Sequence, residues 1–133
     1  MTELPNVSAE NVAIVGVRGM LNLREWFDFV RERGIGCYPM REVKRRGVEG
    51  VMAEALDRVW RGVDGVYVTF DTDSIDAAIA PGTTGPEPGG FTWDEIIAVG
   101  CMIGESGLTA VDNVELCPVY DYSRTTAKLV WTV

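Results

Sequence analysis

Apolar runs of strand length alternate along the chain with amphipathic stretches of helix length, the pattern of a parallel sheet covered by helices. Val12 to Val17 (VAIVGV) is a continuous apolar run of the kind buried on both faces of such a sheet. Leu21 to Arg33 then sets Leu23, Trp26, Phe27 and Val30 at helical spacing, and Gly34 supplies a stop. Ile35 to Met40 reads as a short second strand in which Pro39 marks an edge or an end. Val48 to Trp60 predicts a helix with Val51, Met52, Ala55, Leu56 and Val59 on one face, and Gly65 to Phe70 (GVYVTF) is the strongest strand signal.

Asp71 to Gly90 is polar, rich in Gly and Pro, and too long for an ordinary connection, which marks it as functional or disordered. Thr92, with Glu95 three positions on, predicts a capping box opening a helix that runs to about Ile103. Leu108 to Leu116 is the last expected strand, and Thr125 to Val133 starts something helical or extended. The class is α/β, a parallel sheet with helices on both faces, in a chain sized for one domain.

Charge and composition narrow the chemistry. Twelve Lys and Arg against twenty Asp and Glu give a formal net charge of -8, so nucleic acid is not an expected partner. The chain has no histidine, which excludes a Ser-His-Asp triad, a Cys-His pair and any imidazole metal ligand of its own. Cys37, Cys101 and Cys117 are odd in number and widely spaced, as in small buried residues of a reduced compartment. No apolar run is long enough to span a membrane, and the N-terminal residues lack the pattern of a signal peptide, so the expected location is cytoplasmic with no membrane partner.

The candidate chemistry sits after GVYVTF. Asp71 and Asp73, at i and i+2, are expected to point the same way at the carboxyl end of that strand, where open α/β sheets bind ligands. Asp76, Asp112 and Glu115 are expected to converge there too, and a divalent cation would offset the repulsion of five acids. Against this stands the plain reading in which each acid caps a loop or faces water. An EF-hand is unsupported, because Ile75 stands where that loop needs an oxygen ligand. Strand followed by D-x-D also opens phosphohydrolases with an aspartyl nucleophile, but Ser74-Ile75 replaces their usual Gly-Thr. PGTTGPEPGG lacks the Lys-Ser/Thr of a phosphate loop.

Residues 69–92, TFDTDSIDAAIAPGTTGPEPGGFT, resemble the third signature of the ureohydrolase family of arginases, agmatinases and related guanidino-acid hydrolases. VGVRGM at 15–20 resembles that family's strand ending in G-x-R, and AVDNVELCPVYD at 110–121 resembles its late D-x-x-E-x-x-P-x-x-D segment. The resemblance implies an arginase-like three-layer fold, of which residues 1–133 would form the C-terminal half. It further implies that Asp71 bridges two manganese ions, that Asp73 ligates one of them, and that Glu115 holds the substrate guanidinium. Two such cations, with nickel as an alternative metal, acidify a water that attacks the guanidinium carbon, releasing an amine and urea. PEPGG together with VGVRG resembles the agmatinase-type branch, implying agmatine or a guanidino acid as substrate.

The family's two histidine-bearing signatures, G-G-x-H and D-A-H-x-D, are absent here. The implied partner is therefore a chain or segment that carries them, and the implied assembly is a trimer or hexamer of complete units. The alternative is a non-catalytic assembly or regulatory subunit of the same descent. Ala77 replaces the pattern's proline, Thr69 its serine, and Cys117 a common asparagine, while Thr84-Gly85 inverts the usual Gly-Thr order. The remaining features have ordinary expectations. Trp26, Phe27 and Trp60 are read as core anchors, and Arg41, Lys44, Arg45 and Arg46 as a solvated helix face. Arg18 is expected to contact a substrate tail, tie subunits together or form a structural ion pair. A sheet of this family cut through its middle would expose an apolar edge, for which Val12 to Val17 is the expected strand.

Overall fold

A computed structural model describes residues 3–19 and 23–132. The chain divides into two compact units, Met1–Gly65 and Val66–Val133. Each is built on a pair of parallel strands. Among the described residues no helix is long and apolar enough to cross a membrane.

In the first unit β1 (Ala13–Val15) lies parallel to β2 (Gly36–Tyr38), with Ala13 opposite Gly36 and Val15 opposite Tyr38. Between them runs α1 (Arg24–Glu32), whose expected first residues, Leu21 and Asn22, lie outside the described residues, as does Met20 of VGVRGM. Gly34 takes a left-handed backbone, φ 71°, just past the helix, as its stop role requires. Pro39 does end the strand: its fixed φ and missing N–H suit the position immediately before α2 (Met40–Arg46). That short helix is not foreseen from the periodicity, since only Met40 and Val43 mark its inner face. Its basic residues are exposed as expected.

Gly47, φ 86°, turns the chain into α3 (Val48–Val59), which sets Val48, Val51, Met52 and Ala55 into the core beside Val30, Tyr38, Met40 and Val43. Spacings of three and four place those α3 residues on one stripe. Trp26 and Phe27 do not anchor this core. They meet edge to face at 5.1 Å, but Phe27 is 39% exposed and Trp26 only half-buried, so Val30 alone of α1 is fully buried. Arg58 ties the layers by donating to the carbonyls of Glu10 (3.1 Å) and Gly34 (2.9 Å).

In the second unit β3 (Tyr67–Asp71) lies parallel to β4 (Ala110–Val114), with Thr69 opposite Asp112 and Asp71 opposite Val114. The connection passes through a 3-10 turn (Thr72–Ser74), the long loop, and α4 (Trp93–Ser106). The capping box is present in both directions, Thr92 N–H to Glu95 Oε2 at 2.7 Å and Glu95 N–H to Thr92 Oγ1 at 3.4 Å. The long loop is neither disordered nor superficial. Ile75, Ala80 and Thr83 are fully buried, and residues 75 and 91 form a parallel bridge.

The last helix, α5 (Thr125–Val130), is held from outside: Asp121, itself 4% exposed, accepts from the N–H groups of Thr126 (3.2 Å) and Ala127 (2.9 Å). β1 has β2 as its single neighbour among the described strands, so its other edge is open as expected, but β4 is the strand whose side chains are most exposed. β1 is half-buried at every position, whereas all five residues of β4 are exposed, Val111 at 59%.

Candidate metal and guanidinium site

β3 delivers Asp71 to its carboxyl end, as expected, but strand alternation does not bring Asp73 beside it. Asp73 lies in the 3-10 turn, and its N–H donates to Asp71 Oδ1 at 2.8 Å. This aspartate-capped turn folds the two acids together. The turn is fixed from below by Thr72, fully buried, whose hydroxyl donates to the Val114 carbonyl at 2.9 Å. Asn113 Nδ2 donates to the Phe70 carbonyl at 2.9 Å, so the ends of β3 and β4 are stitched together beneath the acids.

Glu115 is the first residue past β4 and has a left-handed backbone, φ 64°, which is uncommon for a residue with a side chain. The long loop holds it there. Residues 83 and 116 form an antiparallel bridge, and Cys117 N–H donates to the Gly82 carbonyl at 2.8 Å. The Thr84 hydroxyl donates to Glu115 Oε2.

The same loop grips Asp73. Its Oδ1 accepts from the Thr83 hydroxyl and from the Gly85 N–H at 3.1 Å. Thr83 also stands 3.1 Å from the Glu115 carbonyl oxygen, so its single hydroxyl proton is shared between two acceptors. Asp71, Asp73 and Glu115 are thus linked through a turn and a loop, all within the second unit.

The other two acids are engaged elsewhere. Asp76 organises the loop, its Oδ1 accepting from Ala78 N–H at 2.9 Å and its Oδ2 from Gly89 N–H at 2.6 Å. Asp112 accepts from the Tyr67 hydroxyl on the exposed face of the ladder. That bond, with a further one from Thr69, holds the Asp112 carboxyl below the usual carboxylate range, and the Tyr67 phenol is correspondingly pushed up by Asp112. Arg18 lies in the first unit, in a cleft of about 210 Å³ formed with Val17, Gly19, Phe27, Pro39 and Arg41.

Whether these residues suit a divalent cation is a question of donors. Asp71 and Asp73 offer hard oxygen ligands of the type manganese takes, and both hydrogen bonds to Asp73 fall on Oδ1. Yet among the described residues no group of three or more His, Cys, Asp or Glu could hold a metal ion. The donor set fits part of a site and does not close one.

Thr83 and Thr84, which hold two of the candidate acids, are not singled out by periodicity or composition. Their partners lie ten to thirty-two positions away, and the only local signal is the inverted Thr84-Gly85 order.

The Arginase family model matches residues 1–133. The chain is 34% identical over 126 residues to an arginase of Bacillus caldovelox, covering 94% of this chain and 42% of that protein. It is 40% identical over 115 residues to a guanidinopropionase of Pseudomonas aeruginosa, covering 85% and 35%. The native structure of the Bacillus caldovelox arginase superposes with a TM-score of 0.89 at 33% identity, covering 97% of this chain and 43% of that one. The chain therefore spans about two fifths of the length of these relatives, and its α/β fold is part of theirs. The sequence match over every residue, the shared fold and the ordered signature loop together establish that this chain belongs to the arginase, or ureohydrolase, family.

Proposed function

We propose that the chain contributes Asp71 and Asp73 as metal ligands, and Glu115 as the guanidinium-binding carboxylate, to a hydrolase that splits a guanidino compound into an amine and urea. The observation that carries this reading is the linkage of Asp73 to Glu115 through one buried hydroxyl, that of Thr83. It ties a ligand-type carboxylate to the backbone of a guanidinium-type acid. Two divalent cations, manganese or alternatively nickel, would supply charge stabilisation and an activated water. The chain's own residues do the rest. Asp71 and Asp73 present oxygen donors, and Glu115 orients the guanidinium carbon by charge-assisted hydrogen bonds.

The remaining ligands come from a chain or segment carrying the family's histidine signatures, in an assembly of complete units such as a trimer or hexamer. Agmatine and guanidino acids are the substrate class, and the 40% identity to a guanidinopropionase supports the acids. Arg18 is assigned the substrate's tail. Three free cysteines, Cys37, Cys101 and Cys117, accord with a cytoplasmic setting.

A second reading, a non-catalytic assembly subunit, equally accords with an incomplete ligand set among the described residues, and the two part at activity. The experiment is to assemble the chain with a segment bearing the histidine signatures and to measure manganese-dependent urea release from guanidinopropionate and agmatine. Asp71→Ala abolishes urea release on the catalytic reading. Undiminished release in that variant supports the assembly subunit instead.

A further inference from the structure

The long loop meets the two ends of the site through four consecutive residues, Thr83 and Gly85 sharing Asp73 Oδ1 as an acceptor. Gly82 accepts from Cys117 N–H, Thr83 shares its hydroxyl between Asp73 and the Glu115 carbonyl, Thr84 donates to the Glu115 carboxylate, and the Gly85 N–H donates to Asp73. Two of these positions are constrained by size. A Cβ on Gly85 would stand 2.6 Å from Asp73 Oδ2, and one on Gly82 would stand 2.4 Å from the Asp121 Cβ. A Cβ at position 85 would have to displace the Asp73 carboxylate, which the Gly85 N–H holds. The hydroxyl that reaches Glu115 comes from the residue before it.

We propose that Thr84 is the positioning residue for Glu115, working beside a Gly85 amide that fixes Asp73. Thr84 supplies the hydroxyl that fixes the Glu115 carboxylate, and Gly85 leaves the space that lets its amide fix Asp73. This inference rests on the functional reading above, because it gives the loop the task of setting the spacing between a metal ligand and a guanidinium-binding acid. It goes beyond that reading in assigning the task to Thr84 and the Gly85 amide.

Glu115 needs such a support for a physical reason. Its backbone is in the left-handed region, where a side chain is crowded by its own carbonyl. Its carboxylate extends from an exposed residue, so without a partner it would sample several rotamers. One charge-assisted hydrogen bond from a loop whose neighbouring residue is fully buried selects among them.

The test uses the 133-residue chain itself, isotope-labelled, with NMR side-chain couplings of Glu115 and amide exchange at position 85 as readouts. Thr84→Val is expected to convert the Glu115 couplings from those of one rotamer to an average. It leaves exchange at position 85 unchanged. Thr84→Ser restores the single rotamer. The swapped chain, Thr84→Gly with Gly85→Thr, is expected to speed exchange at position 85 by about tenfold, the loss of one hydrogen bond to a charged acceptor.

In the assembled enzyme Thr84→Val raises KM for guanidinopropionate by about tenfold with a smaller change in kcat, for the same reason. Glu115 couplings that are unchanged in Thr84→Val, or that Thr84→Ser fails to restore, overturn the proposal. So does a swapped chain with unchanged exchange at position 85. Couplings that respond as expected while no assembly releases urea leave the positioning intact and remove the hydrolase reading instead.

Discussion

The two units handle charge in opposite ways. Residues 1–65 hold ten acidic and ten basic side chains, whereas residues 66–133 hold ten acidic and only two basic ones, Arg124 and Lys128. The whole net charge of the chain thus lies in the second unit. In the first, acids meet arginines: Asp28 with Arg31 at 2.6 Å, and Glu42 with Arg46 at 2.6 Å, Arg46 also reaching Glu54 at 2.5 Å. That contact keeps the Glu54 carboxyl below its usual range, helped by a hydrogen bond from Tyr38. In the second unit Asp73, Asp76, Glu115 and Asp121 are held by hydroxyls and backbone N–H groups. Thr83 and Gly85 hold Asp73, Thr84 holds Glu115, and backbone N–H groups hold Asp76 and Asp121.

The difference teaches what each unit is suited to. An acid paired with arginine is neutralised. An acid held by neutral donors is oriented and keeps its charge, the condition for binding a cation or a guanidinium.

This contrast can be broken or sharpened at several points. The largest effect belongs to the packing beneath the site. Ile75→Ala removes a fully buried side chain from the loop and is expected to cost about 3 kcal/mol, read by denaturant unfolding. Hydrogen exchange should localise that loss to residues 66–132 and leave α3 unchanged. Thr83→Val replaces a buried hydroxyl that serves two acceptors, so a cost of about 2 kcal/mol is expected, with Asp73 and Glu115 losing their common partner.

Next comes Asp121. Burial pushes its carboxyl up, but the N–H groups of Ala127 and Thr126 and the Thr126 hydroxyl outweigh burial and hold it below the usual range. A depressed carboxyl contributes stability that is complete above its unfolded value, near 3.9, and disappears as pH falls through the lower folded value. The acid limb of a stability profile should therefore flatten in Asp121→Asn, and Asp121→Ala should cost about 1 kcal/mol with fraying of α5. The smallest effect is expected in the first unit. Asp28→Ala removes an exposed ion pair and should change stability by about 0.5 kcal/mol or less, with loss of that increment in high salt.

Much of the fold is legible because its signals are local. The α3 stripe, the Thr92–Glu95 capping box, the Gly34 stop and the GVYVTF strand all arise within a turn or two of chain. Each appears within about two residues of its expected bounds. The α2 helix is legible only from its basic run, since a seven-residue element with two buried positions has too few turns to show an apolar period. The openness of β4 is not legible either, because an apolar strand carries the same pattern whether or not anything covers it.

For the site, the acids themselves are found from their place after a strand, and the roles proposed for them come from the family signature. What no pattern reveals is which acids share a holder. Asp76 and Glu115 look alike as loop carboxylates, yet one closes its own loop at thirteen residues and the other is reached by Thr84 across thirty-one. Contacts of that span are decided by the path of the loop, which has no period to read.

The most direct test of the central claim is a manganese titration of the labelled chain followed by paramagnetic broadening of its amides. The account predicts broadening centred on Asp71, Asp73 and the loop residues 83–85, ahead of any of the ten acids of the first unit, and its loss in Asp71→Ala. Broadening spread evenly over the acids of both units, or unaltered in Asp71→Ala, would contradict it.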